Sequence, residues 1–152
     1  MEDIQKLVTD FRRAIDAANA NGEFDKDFSF NRFPRGCCGD ASDLLGEYLL
    51  EKDIQSIYVC GNRYFDDPEE GTQSHAWLLV DDMIADITGD QFSDRLIYYN
   101  YDIPDYYGPM DDFHRLFDVE DRDVRKTVHL VELGGFCYPR LKDLYGKINK
   151  YL

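Results

Sequence analysis

Two adjacent cysteines precede a helix-like pattern, in residues 36–40 (GCCGD). A cysteine attacks a carbonyl carbon as its thiolate, and the free N–H groups and positive dipole end at a helix N-terminus stabilise that anion. The apolar spacing that follows predicts a helix from Cys38 to about Lys52. Cys38 would hold the first helical position, where backbone amides also face a developing oxyanion. We therefore interpret Cys38 as a candidate nucleophile and Cys37, one residue earlier, as its rival.

A structural role is the alternative for these cysteines, because free cysteine is among the most buried residue types. Asp40 lies in the same predicted first turn, and its charge would oppose a thiolate unless its carboxylate faces away. Cys60 lies in an apolar predicted strand, and Cys137 stands between Phe136 and Tyr138. We interpret Cys60 and Cys137 as structural.

The base that such a thiol needs is predicted to lie on a β-hairpin. The segments SHAWLLV and MIADIT flank the dipeptide Asp81-Asp82, which suits a two-residue turn. If the turn forms there, His75 and Asp86 project from the same face as diagonal neighbours, roughly 7–8 Å apart at the backbone. An aspartate bound to one ring nitrogen sets the tautomer and leaves the other nitrogen facing the thiol. We therefore interpret His75 as general base and Asp86 as the residue that orients it.

Other residues compete for these two roles, since either His75 or Asp86 alone could be an ordinary strand residue. His129 is flanked by apolar residues, which is typical of a core or sheet position, and His114 lies in an acidic segment, which favours a solvated side chain. Asp90 is the second choice for the orienting carboxylate.

The elements that would position these residues follow an α+β pattern. Apolar residues at helical spacing predict a helix over residues 3–19, before the one that starts at Cys38. Strands are predicted from residue 54 (IQSIYVCG), in the hairpin, over residues 95–100 (RLIYYN) and in TVHLVEL, and a helix closes the chain (PRLKDLYGKINKYL). Helices followed by a mostly antiparallel sheet predict the α+β class. Without a linker or repeat, we expect one domain over residues 1–152.

The composition of the chain limits the classes of partner that we expect it to bind. The formal net charge of −14 and a pI near 4.4 disfavour nucleic acids and anionic membrane surfaces and would favour a basic partner. No apolar run approaches the roughly 20 residues that span a bilayer, and the first residues lack a signal-peptide core. We therefore expect a cytoplasmic protein with reduced thiols. The sequence does not indicate an oligomeric state.

No cofactor is expected. The chain has no glycine-rich phosphate loop, and its acidic segments 66–70 and 118–123 lack the spacing of an EF-hand. Adjacent cysteines are poorly placed to share a tetrahedral zinc ion. A group of tyrosines could line a peptide-binding cleft or close an edge of the domain: Tyr98, Tyr99, Tyr101, Tyr106 and Tyr107.

Residues 36–90 resemble the transglutaminase-like branch of the papain-like thiol enzymes. That family has a Gly-x-Cys sequence that opens a helix, matched by residues 36–38, and a strand that ends in Val-x-Gly, matched by 59–61. A His-Ala-Trp strand follows, matched by 75–77, and then an aspartate before a small turn, matched by 86–88. Ile87 departs from the pattern, because proline is common there.

The resemblance implies a papain-like core with Cys38 as nucleophile, His75 as general base and acid, Asp86 as orienting carboxylate and no metal. It implies cleavage or transfer at a peptide or protein amide through a thioester acyl-enzyme, and the acidic charge would favour a basic substrate. Asn31 is a candidate for the second oxyanion donor. The alternatives are an inactive acidic binding protein on the same scaffold, and a thiol redox sensor that uses Cys37 and Cys38.

Overall fold

The structure is a computed structural model that describes residues 3–64, 71–95 and 100–152. Four α-helices lie in those ranges: α1 (Ile4–Ala20), α2 (Cys38–Leu50), α3 (Leu130–Leu133) and α4 (Cys137–Asn149). The described strands are β1 (Ile57–Tyr64), β2 (Thr72–Val80), β3 (Met83–Asp86), β4 (Tyr106–Gly108) and β5 (Val124–Lys126). The architecture is mixed α+β, as predicted. Most of the strand predicted over residues 95–100 lies outside the described residues.

The described strands form one antiparallel sheet in the order β4-β3-β2-β1-β5. β2 and β3 form the predicted hairpin, with Val80 opposite Met83. Asp81 and Asp82 have left-handed φ angles of 52° and 64°, which give a two-residue turn the twist of its flanking strands. This register decides which side chains of the two strands share a face.

Helices α1 and α2 pack on one face of the sheet, and α4 packs against these two helices. Asp3 caps the N-terminus of α1, because its carboxylate accepts a hydrogen bond from the backbone N–H of Lys6 at 3.3 Å. The apolar stripe of α1 includes Phe11. α2 contributes Leu44 to the same cluster, and β2 contributes Leu78. Burying one such side chain stabilises the fold by roughly 1.5–3 kcal/mol. This apolar core therefore anchors α2, and with it the cysteine at its first position.

A second, mostly aromatic cluster contains Trp77 from β2 and three phenylalanines from the later loops: Phe92, Phe113 and Phe117. Because side chains alternate along a strand, Trp77 and His75 share a face, whereas Leu78 belongs to the helix-covered core. The aromatic cluster therefore surrounds the histidine of the hairpin.

The prediction of a strand in TVHLVEL is wrong. β5 ends at Lys126, and residues 130–133 form the single-turn helix α3, which stops before Gly134 with a left-handed φ of 62°. Alternating apolar residues over so short a run fit a strand and a helical turn equally well. Within the described residues, no helix is both long enough and apolar enough to span a membrane.

Candidate active site

Cys38 is the first residue of α2. The preceding residue, Cys37, makes no capping hydrogen bond through its side chain, so no Cys37 side-chain cap competes for the first N–H groups of the helix. Asp40, whose charge would oppose a thiolate, instead accepts a hydrogen bond from Arg140 Nη1 at 2.8 Å. This ion pair compensates the one acidic side chain in the first turn.

The Cys38 thiol interacts with His75 and with the backbone N–H of Ala76. Burial alone would raise the pKa of Cys38. The hydrogen bond and charge of His75, together with the Ala76 amide, outweigh burial and hold the pKa of this thiol below its ordinary value. Cys38 is therefore set up to ionise more readily than a free cysteine.

His75 is fully buried, and its Nε2 lies 2.7 Å from Asp86 Oδ2. Burial opposes a positive charge on this ring, but the charge and hydrogen bond of Asp86, joined by the Cys38 thiolate, raise the pKa of His75 to about 10. Since Asp86 occupies Nε2, the nitrogen that faces the thiol is Nδ1. Burial also acts against ionisation of Asp86, yet the two histidines that contact it hold its pKa far below the ordinary value.

A second histidine contacts Asp86, and the sequence interpretation of His114 as solvated is wrong. His114 is fully buried, with Nε2 2.7 Å from Asp86 Oδ2 and Nδ1 2.7 Å from Asp111 Oδ1. Both ring nitrogens thus face carboxylate oxygens, which only accept hydrogen bonds, so both carry protons. Burial disfavours this charge, but the two carboxylates prevail and raise the pKa of His114.

Sequence reasoning missed His114 because its bonding partner Asp86 is 28 residues away. A local signal was present, since Asp111 stands three residues before it and also accepts the backbone N–H of His114 at 2.8 Å. That spacing is typical of a carboxylate that caps a short helical turn. It indicated an ordered rather than a solvated histidine.

Aromatic rings enclose His75 on several sides. The ring centroids of Phe92, Phe113 and Phe117 lie 5.1, 5.8 and 5.6 Å from the imidazole centroid. Two of these contacts are edge-to-face, the geometry that aromatic pairs favour. Such packing holds the ring in one orientation and keeps water from the His75–Asp86 hydrogen bond.

The rival nucleophile Cys37 has the opposite environment. It is 1% exposed, and its thiol donates to the carbonyl oxygens of Ser29 and Arg35 at 3.3 Å. Burial, partly offset by Ser29, raises the pKa of Cys37 to about 11. Cys137, expected to be structural, is exposed at the start of α4, next to a fully exposed Phe136.

Several other candidates lie away from the thiol. Asp90 forms a double ion pair with Arg12, at 2.7 and 2.8 Å, and so does not orient His75. His129, predicted in the core or sheet, is half-exposed and pairs with Glu47 at 2.6 Å. Asn31 is exposed and does not line the cleft at Cys38.

The described residues contain one group of three potential metal ligands, His75, Asp86 and His114, with donor atoms within 4.8 Å of one another. A metal ion would need the Nε2 lone pair of each ring. Both Nε2 atoms instead lie at hydrogen-bonding distance from the same carboxylate oxygen, and His114 is held as an imidazolium by its second carboxylate. The donor set fits proton sharing better than metal binding.

A cleft of about 450 Å³ opens at Cys38. Gln91 lines it, with Nε2 3.3 Å from His75 Nδ1 and donating to the carbonyl oxygen of Thr88 at 3.1 Å. Three arginines also line it, Arg32, Arg35 and Arg95. A larger depression of about 540 Å³ along α4 contains neither a thiol nor a histidine.

The described tyrosines of the predicted group do not line this cleft. Tyr101 stacks on Phe113 with centroids 3.9 Å apart, Tyr106 stacks on His114, and the Tyr107 hydroxyl donates to the carbonyl oxygen of Val80. They therefore cover the edge of the aromatic cluster and of the sheet. Tyr98 and Tyr99 lie outside the described residues.

Comparison with known protein families, with curated proteins and with solved structures finds no match to this chain.

Proposed function

We propose that this protein is a cysteine-dependent amide hydrolase with a transglutaminase-like, papain-like core, in which Cys38 is the nucleophile, His75 the general base and acid, and Asp86 the residue that orients His75. The observation that carries the proposal is the grouping of Cys38, whose pKa is lowered by its interaction with His75, with the buried hydrogen bond of 2.7 Å between His75 Nε2 and Asp86 Oδ2. An activated nucleophile, a base in reach and an orienting third group are the parts that covalent catalysis requires.

The reaction begins with attack of the Cys38 thiolate on the carbonyl carbon of the amide, which moves the C=O π electrons onto oxygen. His75 Nδ1–H then protonates the amide nitrogen as the C–N bond breaks, so the amine leaves and a thioester remains on sulfur. In the second half, His75 Nδ1 takes a proton from water, and the resulting hydroxide attacks the thioester. The C=O bond then re-forms as the C–S bond breaks, which releases a carboxylic acid and regenerates the Cys38 thiolate beside protonated His75.

Two donors are placed to stabilise the oxyanion. One is the backbone N–H of Cys38, at the uncapped start of α2. The other is Gln91 Nε2, beside His75 Nδ1 and held there by its hydrogen bond to Thr88. Gln91 replaces Asn31 as the second donor, because Gln91 lines the cleft and Asn31 does not. Removing one such donor typically slows catalysis by about 10²–10³-fold.

The order of elements supports the papain-like part of the proposal. The motifs of residues 36–38, 75–77 and 86–88 fall at the start of α2, within β2 and at the end of β3. The motif of residues 59–61 lies within β1, which continues to Tyr64 and so does not end at Gly61 as the family pattern has it. Water is the favoured acyl acceptor, because the described lining of the cleft contains no carboxylate or aromatic cage for an amine.

Alkylation by iodoacetamide at neutral pH tests the proposal. We expect Cys38 to react selectively, and His75→Ala to slow this reaction by roughly 10²-fold because the thiolate loses its partner. His129→Ala is the matched control, since that histidine is half-exposed and remote from the thiol. Mass spectrometry after incubation with a peptide library should then trap an acyl group on Cys38.

Two results would contradict the proposal. Equally slow reaction of all four cysteines would favour the inactive acidic binding protein. A Cys37–Cys38 disulfide that forms reversibly under mild oxidation, without any acyl-enzyme, would favour the redox sensor; the burial of Cys37 and its two hydrogen bonds to carbonyl oxygens disfavour that outcome.

A further inference from the structure

The described lining of the cleft around Cys38 is positively charged, although the chain as a whole is negatively charged. The whole sequence has 31 acidic and 17 basic residues, whereas the described residues that line the cleft include Arg32, Arg35 and Arg95 and no Asp or Glu. The remaining lining is mainly hydroxyl and amide side chains, and Phe92 is its one large apolar contributor among the described residues. The cleft therefore offers little surface to an apolar side chain.

The arginines flank the nucleophile on its loop side. The Arg32 guanidinium lies over the backbone just before the two cysteines, with Nη2 3.4 Å from where a side-chain carbon on Gly36 would stand. Arg35 reaches Asp94 at 2.8 Å, and both side chains of this pair are more than half exposed. Because an exposed ion pair is weak, an incoming anion can exchange with Asp94.

Inside a cleft, the charges of the lining determine the electrostatic potential more strongly than the net charge of the protein does. At physiological salt the Debye length is about 8 Å, so acidic groups farther away on the surface are largely screened, whereas the guanidinium groups of the lining act on a bound anion at short range. A guanidinium presents a planar fork of donors that matches carboxylate and phosphate oxygens.

We propose that the site takes amide substrates that carry an anionic group, a carboxylate or a phosphate, next to the bond that Cys38 attacks, with Arg32 and Arg35 binding that group. This inference rests on the proposed function of Cys38. It is opposite to the expectation from net charge, which favoured a basic substrate.

The test compares two alkylating agents of similar size, iodoacetate (anionic) and iodoacetamide (neutral), on Cys38 of the intact protein. The ratio of their rate constants isolates the effect of charge, and the iodoacetamide rate shows whether the fold and the thiolate survive a substitution. In Arg32→Gln/Arg35→Gln we expect the ratio to fall about 10-fold, the lower limit for focusing of charge in a cleft. Added salt should reduce the wild-type ratio toward that of the variant.

Arg13→Gln/Arg122→Gln is the matched control. It removes the same number of charges from exposed positions that do not line the cleft, and its ratio should equal that of the wild type. A ratio that is unchanged in the cleft variant, or lowered equally in both variants, would overturn the inference.

Competing anions identify the source of the charge. Protection of Cys38 from iodoacetamide at lower concentrations of glutarate than of inorganic phosphate would assign a carboxylate, and the reverse order would assign a phosphate. Absence of protection by either anion in the wild type would count against an anion subsite. If wild-type Cys38 reacts no faster than Cys60 or Cys137, the proposed function fails and the inference with it. Rapid reaction that is indifferent to charge refutes the inference alone.

Discussion

At the scale of single residues, the site depends on one carboxylate oxygen. Asp86 Oδ2 accepts hydrogen bonds from two histidines, His75 and His114, both at 2.7 Å, while Oδ1 accepts the backbone N–H of Thr88 at 3.0 Å. A buried carboxylate needs several donors to remain charged. The charged carboxylate in turn keeps a proton on His75 Nε2, which leaves Nδ1 as the ring nitrogen that could exchange a proton with Cys38.

Asp86→Asn tests this arrangement. An asparagine keeps the shape of the side chain but removes the charge that raises the pKa of His75. The charge of Asp86 itself raises the pKa of Cys38, but the charge and hydrogen bond of His75, which depend on Asp86, lower that pKa more strongly. We expect the midpoint of the pH profile of Cys38 alkylation to move up by about one unit or more, and amide hydrolysis to fall by roughly 10²–10⁴-fold. Alkylation from pH 5 to 10 measures the first effect. An unchanged profile would contradict the orienting role that we propose for Asp86.

At the scale of elements, the site is made by the start of α2 meeting the β2–β3 hairpin, and close contacts hold the hairpin in place. One of these contacts is made at Gly61, which lies in β1 opposite His75. A side-chain carbon added there would lie 2.6 Å from Phe117 Cβ and 3.4 Å from the Trp77 ring. The glycine therefore lets the aromatic cluster approach the sheet.

Gly61→Ala should destabilise the protein by about 1–3 kcal/mol, the typical effect of overfilling a packed site, because Phe117 Cβ is tied to its backbone and cannot move alone. Urea unfolding measures this change. Gly146→Ala on α4 is the control, since nothing lies within 4 Å of the added carbon, and alanine in a helix should be neutral or stabilising by roughly 0.5–1 kcal/mol. Equal stability of the two variants would mean that the contact at Gly61 does not constrain the sheet.

These elements also show which parts of the fold could be predicted from sequence patterns. The helices at residues 3–19 and from Cys38, and the hairpin with its register, follow from local periodicity and turn chemistry, and the structure has them at those places. The structure of the TVHLVEL segment did not follow from its sequence, because the apolar spacing of only seven residues does not distinguish a strand from a helical turn.

At the scale of the whole molecule, protonation of the buried histidines couples the site to stability. The lowered pKa of Cys38 and the raised pKa of His75 act in opposite directions on the number of protons that the folded state binds. His114 has no such counterpart. Its raised pKa means that the folded state holds a proton which the unfolded state releases near pH 6.5.

The stability that His114 contributes is therefore complete below about pH 6.5 and is lost as pH rises through its folded pKa. We expect the free energy of unfolding in urea to fall as the pH rises above about 6.5, and this slope to become flatter in His114→Gln, which cannot take up a proton. The variant should also be less stable at pH 6, because Asp86 and Asp111 each lose a charged partner. A wild-type slope that His114→Gln leaves unchanged would show that His114 is not the group responsible.

The amino-acid sequence by itself determined the first two helices, the hairpin and three side chains that could do chemistry, Cys38, His75 and Asp86, since helical and strand periods, a two-aspartate turn and a cysteine at a helix start are local properties. Only the tertiary structure decided which of those side chains meet. It placed His114 on Asp86, turned Asp90 to Arg12, buried Cys37 and collected arginines around Cys38 in an acidic chain. Contacts between residues far apart in sequence depend on how helices and loops pack on the sheet, and no local pattern records that packing.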